Sequence, residues 1–261
     1  MEVFLNANAW IALLTLTFLE IVLGIDNIIF ISIAADKLEP EQRSKATNIG
    51  LLLAMLIRIG LLFMLSILTA LNQTFFELHF SFLSGNISGQ AIILFAGGIF
   101  LLYKSTKEIH EKVEDKKHDE KVVKSQRSAS LTSAVLQISM INLVFSFDSI
   151  LTAIGMTNGI SENPKDAIVI MIVAVVVSML IMMLFAKPVG DFVNQHPTIQ
   201  MLGLTFLILI GFMLITEAAH ISHLSVMGNK VGTVPKAYLY FAISFSLLVE
   251  FLNMKVRKKA K

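Results

Sequence analysis

Seven apolar runs of helical length dominate this sequence and limit what it can fold into. A bilayer core about 30 Å thick needs about 20 apolar residues per helix, and only helices or closed barrels satisfy the backbone hydrogen bonds there. Because 55% of the residues are hydrophobic and only 15% are charged, the chain has too little polar surface for a soluble domain. The sequence therefore predicts an all-α integral membrane protein of about seven transmembrane helices. The spans are predicted near residues 10–34, 48–71, 89–104, 131–155, 167–186, 198–216 and 237–252.

The distribution of positive charge predicts how the chain crosses the membrane. With the N-terminus outside, most of the 21 Lys and Arg residues fall on the inner side, and the outer segments hold only Lys165, Lys230 and Lys236. Lys and Arg accumulate on the cytoplasmic side of membrane proteins. We therefore expect the N-terminus out and the C-terminus in, which agrees with an odd number of spans.

A strongly polar segment, residues 105–130, separates the chain into two halves. It mixes acidic and basic residues and contains His110 and His118. These groups could sense a metal ion, whereas such charge runs are typically solvated linkers or juxtamembrane helices. The basic residues could also contact anionic lipid. We interpret the segment as a cytoplasmic charged loop.

The two halves of the chain resemble each other. Aligning the first span with the fourth places Asp26 on Asp148. Aligning the third span with the sixth places Gly98 on Gly211. Since three spans are an odd number, the second copy must enter the membrane from the opposite side, which gives the inverted repeat of many transporters. The alternative is a chance similarity between apolar helices. The predicted organisation is a single membrane domain over residues 1–261, with two three-helix repeats at 10–104 and 131–221 and a seventh helix at 237–252.

Small and polar residues form matching stripes in the first and fourth spans. Within each span they follow a 3,4,3 spacing, which places them on one face of a helix, turned towards other helices rather than lipid. The stripe residues are Thr17, Glu20, Gly24 and Asn27 in the first span and Ser139, Asn142, Ser146 and Ser149 in the fourth. Asp26 and Asp148 precede the last stripe position and are rotated from it by about 100°. They would join the stripe if the helices opened locally, which Gly24 favours because glycine has little helix preference.

Three carboxylates inside the predicted spans require compensation. Burying Glu20, Asp26 and Asp148 costs about 2.5 to 3.5 kcal/mol each, so they should face a cavity, a partner or a bound cation. Arg58, near the middle of the second span, could neutralise one of them in a purely structural pair. One arginine cannot neutralise three acids, and the remainder indicates proton or metal traffic.

The available ligand atoms favour a hard cation. Carboxylates, the Asn27 amide and the Ser149 hydroxyl are oxygen donors suited to magnesium, calcium or manganese, whereas zinc and copper usually recruit His or Cys. The chain has no Cys. His220 and His223 lie one helical turn apart and could hold a transition metal, although a loop or cap role is the simpler interpretation.

Two segments resemble the paired signature of the TerC family: residues 19–27, LEIVLGIDN, and residues 145–155, FSFDSILTAIG. The resemblance extends over nearly the whole chain. It implies an inner-membrane protein of about seven helices, associated with tellurite resistance and, in several members, with manganese efflux. No soluble domain accompanies the spans, so the resemblance is to the short, membrane-only form. Four residues match the acidic motif positions of the family: Glu20, Asp26, Asn27 and Asp148.

The resemblance and the buried acids together predict a multi-pass exporter of divalent cations in the bacterial inner membrane, with manganese as the first expectation and alternating access as the mechanism. Asp26 and Asp148 are the expected ligands, and Glu20 and Asn27 complete or gate the site. The metal ion is a transported substrate. No permanently bound cofactor and no nucleic-acid partner are expected, and membrane lipid is the other expected partner.

A different class of function is compatible with the same stripe. The alternative is a membrane scaffold that assists the assembly or metal loading of other membrane or secreted proteins, with small residues such as Gly24 serving helix contacts. An enzyme is not expected. Intramembrane hydrolases need a recognisable nucleophile, a His–Glu metal motif or a catalytic aspartate pair, and Asp26 with Asp148 is the only candidate pair here. These patterns do not specify the oligomeric state.

Overall fold

A computed structural model describes residue 4 and residues 6–64, 74–80, 83–114, 130–157 and 164–259 of the chain. Within these ranges the protein is mostly helical, and seven long α-helices follow one another along the chain. Their bounds are α1 Ala7–Asp36, α2 Pro40–Phe63, α3 Gly89–Glu114, α4 Leu131–Thr157, α5 Pro164–Gln195, α6 Pro197–Ile221 and α7 Lys236–Lys259.

Five of these helices are long and apolar enough to cross a membrane: α2, α3, α6 and the segments Asp166–Gln195 of α5 and Lys236–Arg257 of α7. The apolar stretches described in α1 and α4 are shorter, Ala7–Val22 and Leu131–Phe147. The chain is therefore a multi-pass membrane protein, as the sequence predicts. The number of seven spans, the two repeats and the orientation of the termini stay predictions.

Every described helix except α2 is longer than its predicted span, and the bounds of α2, α3 and α5 differ most from the prediction. The second span, predicted over 48–71, is a helix that begins at Pro40 and ends at Phe63. It begins earlier than predicted because proline is favoured in the first helical turn. The third, predicted over 89–104, continues through Glu114 into the segment interpreted as a loop. This extension presents polar pairs such as His110 with Glu114 to solvent, which agrees with a juxtamembrane helix. Residues 115–129 lie outside the described part of the chain.

A small antiparallel sheet departs from the all-α prediction. Its strands are β1 Thr74–Phe80, β2 Leu83–Ser88, β3 Ser225–Val226 and β4 Asn229–Lys230, hydrogen-bonded in that order. The turn between β3 and β4 has positive φ at Met227 and Gly228, as a type I′ hairpin requires. The sheet was missed because its two longest strands adjoin apolar spans and because β1 carries aromatic residues on an exposed surface.

The chain divides into two compact units, each of which contains helices from both predicted repeats. The first unit comprises residues 1–70 and 127–194, with α1, α2, α4 and nearly all of α5. The second comprises residues 71–126 and 195–261, with the sheet, α3, α6 and α7. The three helices of each predicted repeat are thus divided between the two units.

Glycines bring the helices of the first unit close together. A β-carbon added at Gly50 of α2 would lie 2.6 Å from Cγ2 of Ile138 on α4. One added at Gly24 of α1 would overlap Sδ of Met182 on α5. Phe30 of α1 is almost completely buried as well. Small residues therefore permit the tight packing that holds α1, α2, α4 and α5 as one unit.

In the second unit α3 and α6 cross at two glycines, Gly98 and Gly211. A β-carbon on Gly98 would lie 2.7 Å from the carbonyl oxygen of Gly211, and one on Gly211 would lie 3.0 Å from the carbonyl oxygen of Gly98. The approach is reciprocal, so the two backbones meet with no side chain between them. These are the same two glycines that the alignment of the halves places on each other.

Candidate functional site

The polar stripes of α1 and α4 are buried, as the sequence predicts for their described members. Thr17 and Glu20 on α1 are 9% and 6% exposed, and Gly24 is buried as well. On α4 the buried stripe residues are Ser139, Asn142, Ser146 and Ser149, none more than 6% exposed. Because α1 and α4 pack together in the first unit, the two stripes face protein and not lipid.

Neither helix opens locally, so the opening that Gly24 would favour does not occur, and α4 is unbroken at Ser146 as well. Helix α1 is continuous from Ala7 to Asp36, and α4 is continuous from Leu131 to Thr157. Gly24 serves a different purpose, since Met182 occupies the space that a side chain there would need. Because Gly24 has no side chain, α5 can pack closely against α1 at this position. The glycine does not interrupt the helix.

The hydroxyl groups of the α4 stripe donate hydrogen bonds to backbone carbonyls of the same helix. The Ser139 hydroxyl donates to the Val135 carbonyl at 2.8 Å, and the Ser146 hydroxyl donates to the Asn142 carbonyl at 2.6 Å. The Ser149 hydroxyl likewise donates to the Ser146 carbonyl at 3.1 Å. Such bonds to the preceding turn satisfy the donors without a partner helix. The hydroxyl oxygens keep lone pairs with which they can accept hydrogen bonds or bind a cation.

Arg58 on α2 completes this cluster. Its guanidinium forms a salt bridge with the Glu20 carboxylate through Nη1, and its Nη2 donates to the Ser149 hydroxyl. Arg58 and Glu20 are each only 6% exposed, and Ser149 is 5% exposed. Of the three acids that Arg58 could neutralise, it is paired with Glu20. One side chain links α1, α2 and α4.

The four predicted metal ligands are only partly described. Glu20 is in place on the stripe and is paired with Arg58. Asp26, Asn27 and Asp148 lie on continuous helices, but their side chains are outside the part of the chain that the structure describes. Among the side chains that it describes, no group of three His, Asp or Glu residues is placed to hold a metal ion.

The histidine pair near the end of α6 behaves as a helix terminus. The backbone NH of His223 donates to the His220 carbonyl at 2.9 Å, and His223 has a φ of 47°. A left-handed residue directly after a helix is the usual way to end it. The loop or cap interpretation of these histidines is therefore confirmed by the backbone.

A second polar region lies at a cavity of about 180 Å³ between the C-terminal turns of α1 and α5 and the start of α2. The Ser32 hydroxyl lies 3.1 Å from the Gly190 carbonyl and 3.2 Å from Asn194 Oδ1, which joins α1 to α5. Arg43 and Lys187 line this cavity beside a single carboxylate, Asp191. Two cations and one acid do not favour a metal site, so the Glu20 cluster is the better candidate.

Sequence reasoning missed how the cluster is joined. The pattern indicated that Arg58 needs an acid, but it gave no preference among three candidates and no sign that Ser149 accepts from the same guanidinium. Residues on three separate helices converge here, and their distances depend on how α1, α2 and α4 pack. A signal was nevertheless present, because Arg58 is the one Lys or Arg within a predicted span interior and away from its ends.

Comparisons with known proteins give a consistent result. The family model described as "Integral membrane protein TerC family" matches residues 5–261. The chain is 43% identical over 254 residues to the UPF0053 inner membrane protein YgdQ of Escherichia coli K12, which covers 97% of this chain and 96% of YgdQ. It is 41% identical to a UPF0053 protein of Haemophilus influenzae over 256 residues, with 98% of each covered.

A longer relative matches equally well. The UPF0053 inner membrane protein YoaE of Escherichia coli K12 is 42% identical over 259 residues, which is 99% of this chain but 45% of YoaE. The chain thus spans about half the length of that relative. No solved structure matches the present chain.

Proposed function

Because the chain belongs to the TerC family of integral membrane proteins, we propose that it exports divalent metal cations, manganese first, through the membrane. The observation that carries the proposal is the Glu20 carboxylate buried among the polar stripes of α1 and α4. Ionisable residues inside membrane helices are costly and are kept mainly where they serve substrate or ion pathways. The relatives YgdQ and YoaE are named inner membrane proteins, and we place this chain in the same membrane.

The proposed site lies between α1 and α4. Glu20 and the Ser149 hydroxyl supply oxygen atoms from these two helices. Asp26 and Asn27 follow Glu20 within about two turns of α1, and Asp148 directly precedes Ser149 on α4. Oxygen donors of this kind suit manganese, magnesium or calcium. In the proposal Asp26 and Asp148 are the principal ligands, while Glu20 and Asn27 complete or gate the site.

Alternating access by two inverted repeats is the proposed mechanism. The reciprocal approach of Gly98 and Gly211 supports it, because residues related by a two-fold axis make identical contacts in both directions. Burial of Glu20 on α1 and of Asn142 at the equivalent position of α4 agrees with the same relation. Inverted repeats place substrate sites near the middle of the membrane, at the interface between the repeats.

The alternative function, a membrane scaffold, rested on small residues available for contact with other proteins. In the first unit Gly24 and Gly50 are already covered by Met182 and Ile138. In the second unit Gly98 and Gly211 cover each other. These small residues therefore serve contacts inside the chain, and the transporter is the function that the packing supports better.

Flux measurements in liposomes test the proposal. Purified protein is reconstituted, and transport of manganese, calcium and magnesium is followed for the parent and for the Asp26→Asn and Asp148→Asn variants. Asp191→Asn, an exposed aspartate on α5, is the matched control. We expect metal-selective flux in the parent and the control, and loss of flux in the other two. No flux of any of the three ions by folded parent protein would refute transport and favour the scaffold.

A further inference from the structure

Arg58 is an unusual group to find at a cation site. It lies on α2, and its side chain is buried against the acidic stripe of α1 and the hydroxyl stripe of α4. A guanidinium stays protonated in proteins and can only donate hydrogen bonds. The positive charge is therefore permanent, and it occupies oxygen atoms that a metal ion would otherwise bind.

The way in which Arg58 is held differs from that of a purely structural arginine. Structural Arg–carboxylate pairs are frequently bidentate, with two parallel N–H···O bonds to one carboxylate. Here the two Nη donors are divided between Glu20 on α1 and Ser149 on α4, and Nε has no hydrogen-bond partner among the described residues. The contact thus bridges α1 and α4, and no single described carboxylate holds the guanidinium through two parallel hydrogen bonds.

We propose that Arg58 is an internal countercation of the transport site, which binds Glu20 and Ser149 when no metal is present and is displaced when a divalent cation arrives. This inference rests on the proposed function and adds a means of release. The metal and the guanidinium then compete for the same oxygen atoms. The guanidinium balances the charge of Glu20 when the metal has left. The returning guanidinium also limits the affinity for the metal, which a transported ion requires in order to leave.

Manganese binding by purified protein in lipid nanodiscs tests this inference, with free Mn²⁺ measured by electron paramagnetic resonance. Removing the competitor in Arg58→Gln should tighten binding by about tenfold or more, because a nearby positive charge no longer opposes the metal. The same variant should export manganese more slowly from liposomes, since nothing displaces the bound ion. Arg58→Lys should tighten binding less, because one ammonium cannot donate to Glu20 and Ser149 in the same geometry.

The matched control is Arg43→Gln. Arg43 also pairs with an acid between α1 and α2, Asp36 at 2.9 Å, but both side chains are about one-third exposed. Its removal should leave manganese affinity unchanged. Should Arg58→Gln fail to fold, Arg58→Lys retains the charge and decides the question by the same measurement.

The outcomes separate this inference from the function on which it rests. Tighter binding in the Arg58 variants, with Arg43→Gln at the parental value, supports the countercation. If the parent binds manganese and the folded Arg58 variants bind it equally well or more weakly, only the countercation is overturned. Arg58 and Glu20 are then a structural ion pair. A parent that binds no divalent cation overturns the proposed metal transport, and the countercation with it.

Discussion

Replacing Gly98 with alanine tests the crossing of α3 and α6. The added β-carbon would lie 2.7 Å from both the Gly211 carbonyl oxygen and Cγ1 of Ile215, whereas ordinary van der Waals contacts begin near 3.4 Å. The helices must therefore separate locally by about 0.7 Å, and one obstructing group is backbone that cannot rotate away. Overpacking of this kind costs about 1 to 3 kcal/mol.

The control for this substitution is Gly60 on α2, where an added β-carbon would meet nothing within 4 Å. Alanine in a helix interior is favoured over glycine by about 0.5 to 1 kcal/mol, and this gain applies at both positions. The difference between Gly98→Ala and Gly60→Ala therefore isolates the overlap, about 1 to 3 kcal/mol. Gly211→Ala should fall between them, because its closest contact is 3.0 Å.

The assay is reversible unfolding of the purified protein in mixed micelles, followed by far-ultraviolet circular dichroism. We expect the order of stability Gly60→Ala, then Gly211→Ala, then Gly98→Ala. The result that would refute the reasoning is a Gly98→Ala protein as stable as Gly60→Ala, since the backbones of α3 and α6 could not then be in contact at that position.

Three further predictions use the same unfolding measurement. Arg58→Met should destabilise the protein by about 3 to 5 kcal/mol because Glu20 is left buried without its partner, and adding Glu20→Met should restore most of that loss; equal stabilities of the single and double variants would contradict the pairing. Gly228→Ala should cost about 1 to 2 kcal/mol because its φ of 82° is unfavourable for residues with a β-carbon, and a neutral result would argue against the β3–β4 turn. Asn6→Ala should cost about 1 kcal/mol through loss of the side-chain cap that accepts from the Asn8 backbone at 3.0 Å, whereas an unchanged stability would indicate that α1 begins elsewhere.

Much of the candidate site could be predicted from spacing alone. The 3,4,3 stripe identified residues such as Glu20 and Ser149, and every described member of it is buried. This prediction is reliable because residues spaced three or four apart lie on the same face of a helix. A polar face inside an apolar span packs against protein and not against lipid. The sequence left open whether α1 opens at Gly24. It could not show that Met182, which is distant along the chain, packs against this glycine.

Helices were also easier to predict than strands. Apolar runs of helical length identified the segments that became α1 to α7, since a backbone in lipid has to satisfy its own hydrogen bonds. The sheet consists of two local hairpins, β1–β2 and β3–β4, and it is joined by pairing of residues 83–84 with 225–226, which are far apart along the chain. Such pairing has no periodic signature in either segment by itself.

The sequence by itself determined that this chain crosses the membrane several times and that two of its helices carry buried polar faces. Hydropathy and periodicity are local properties, so neighbouring residues are enough to specify them. The tertiary structure alone decided that Arg58 lies between Glu20 and Ser149 and that Gly98 meets Gly211. These contacts join helices that are separate in the sequence, and their geometry exists only once the helices have packed.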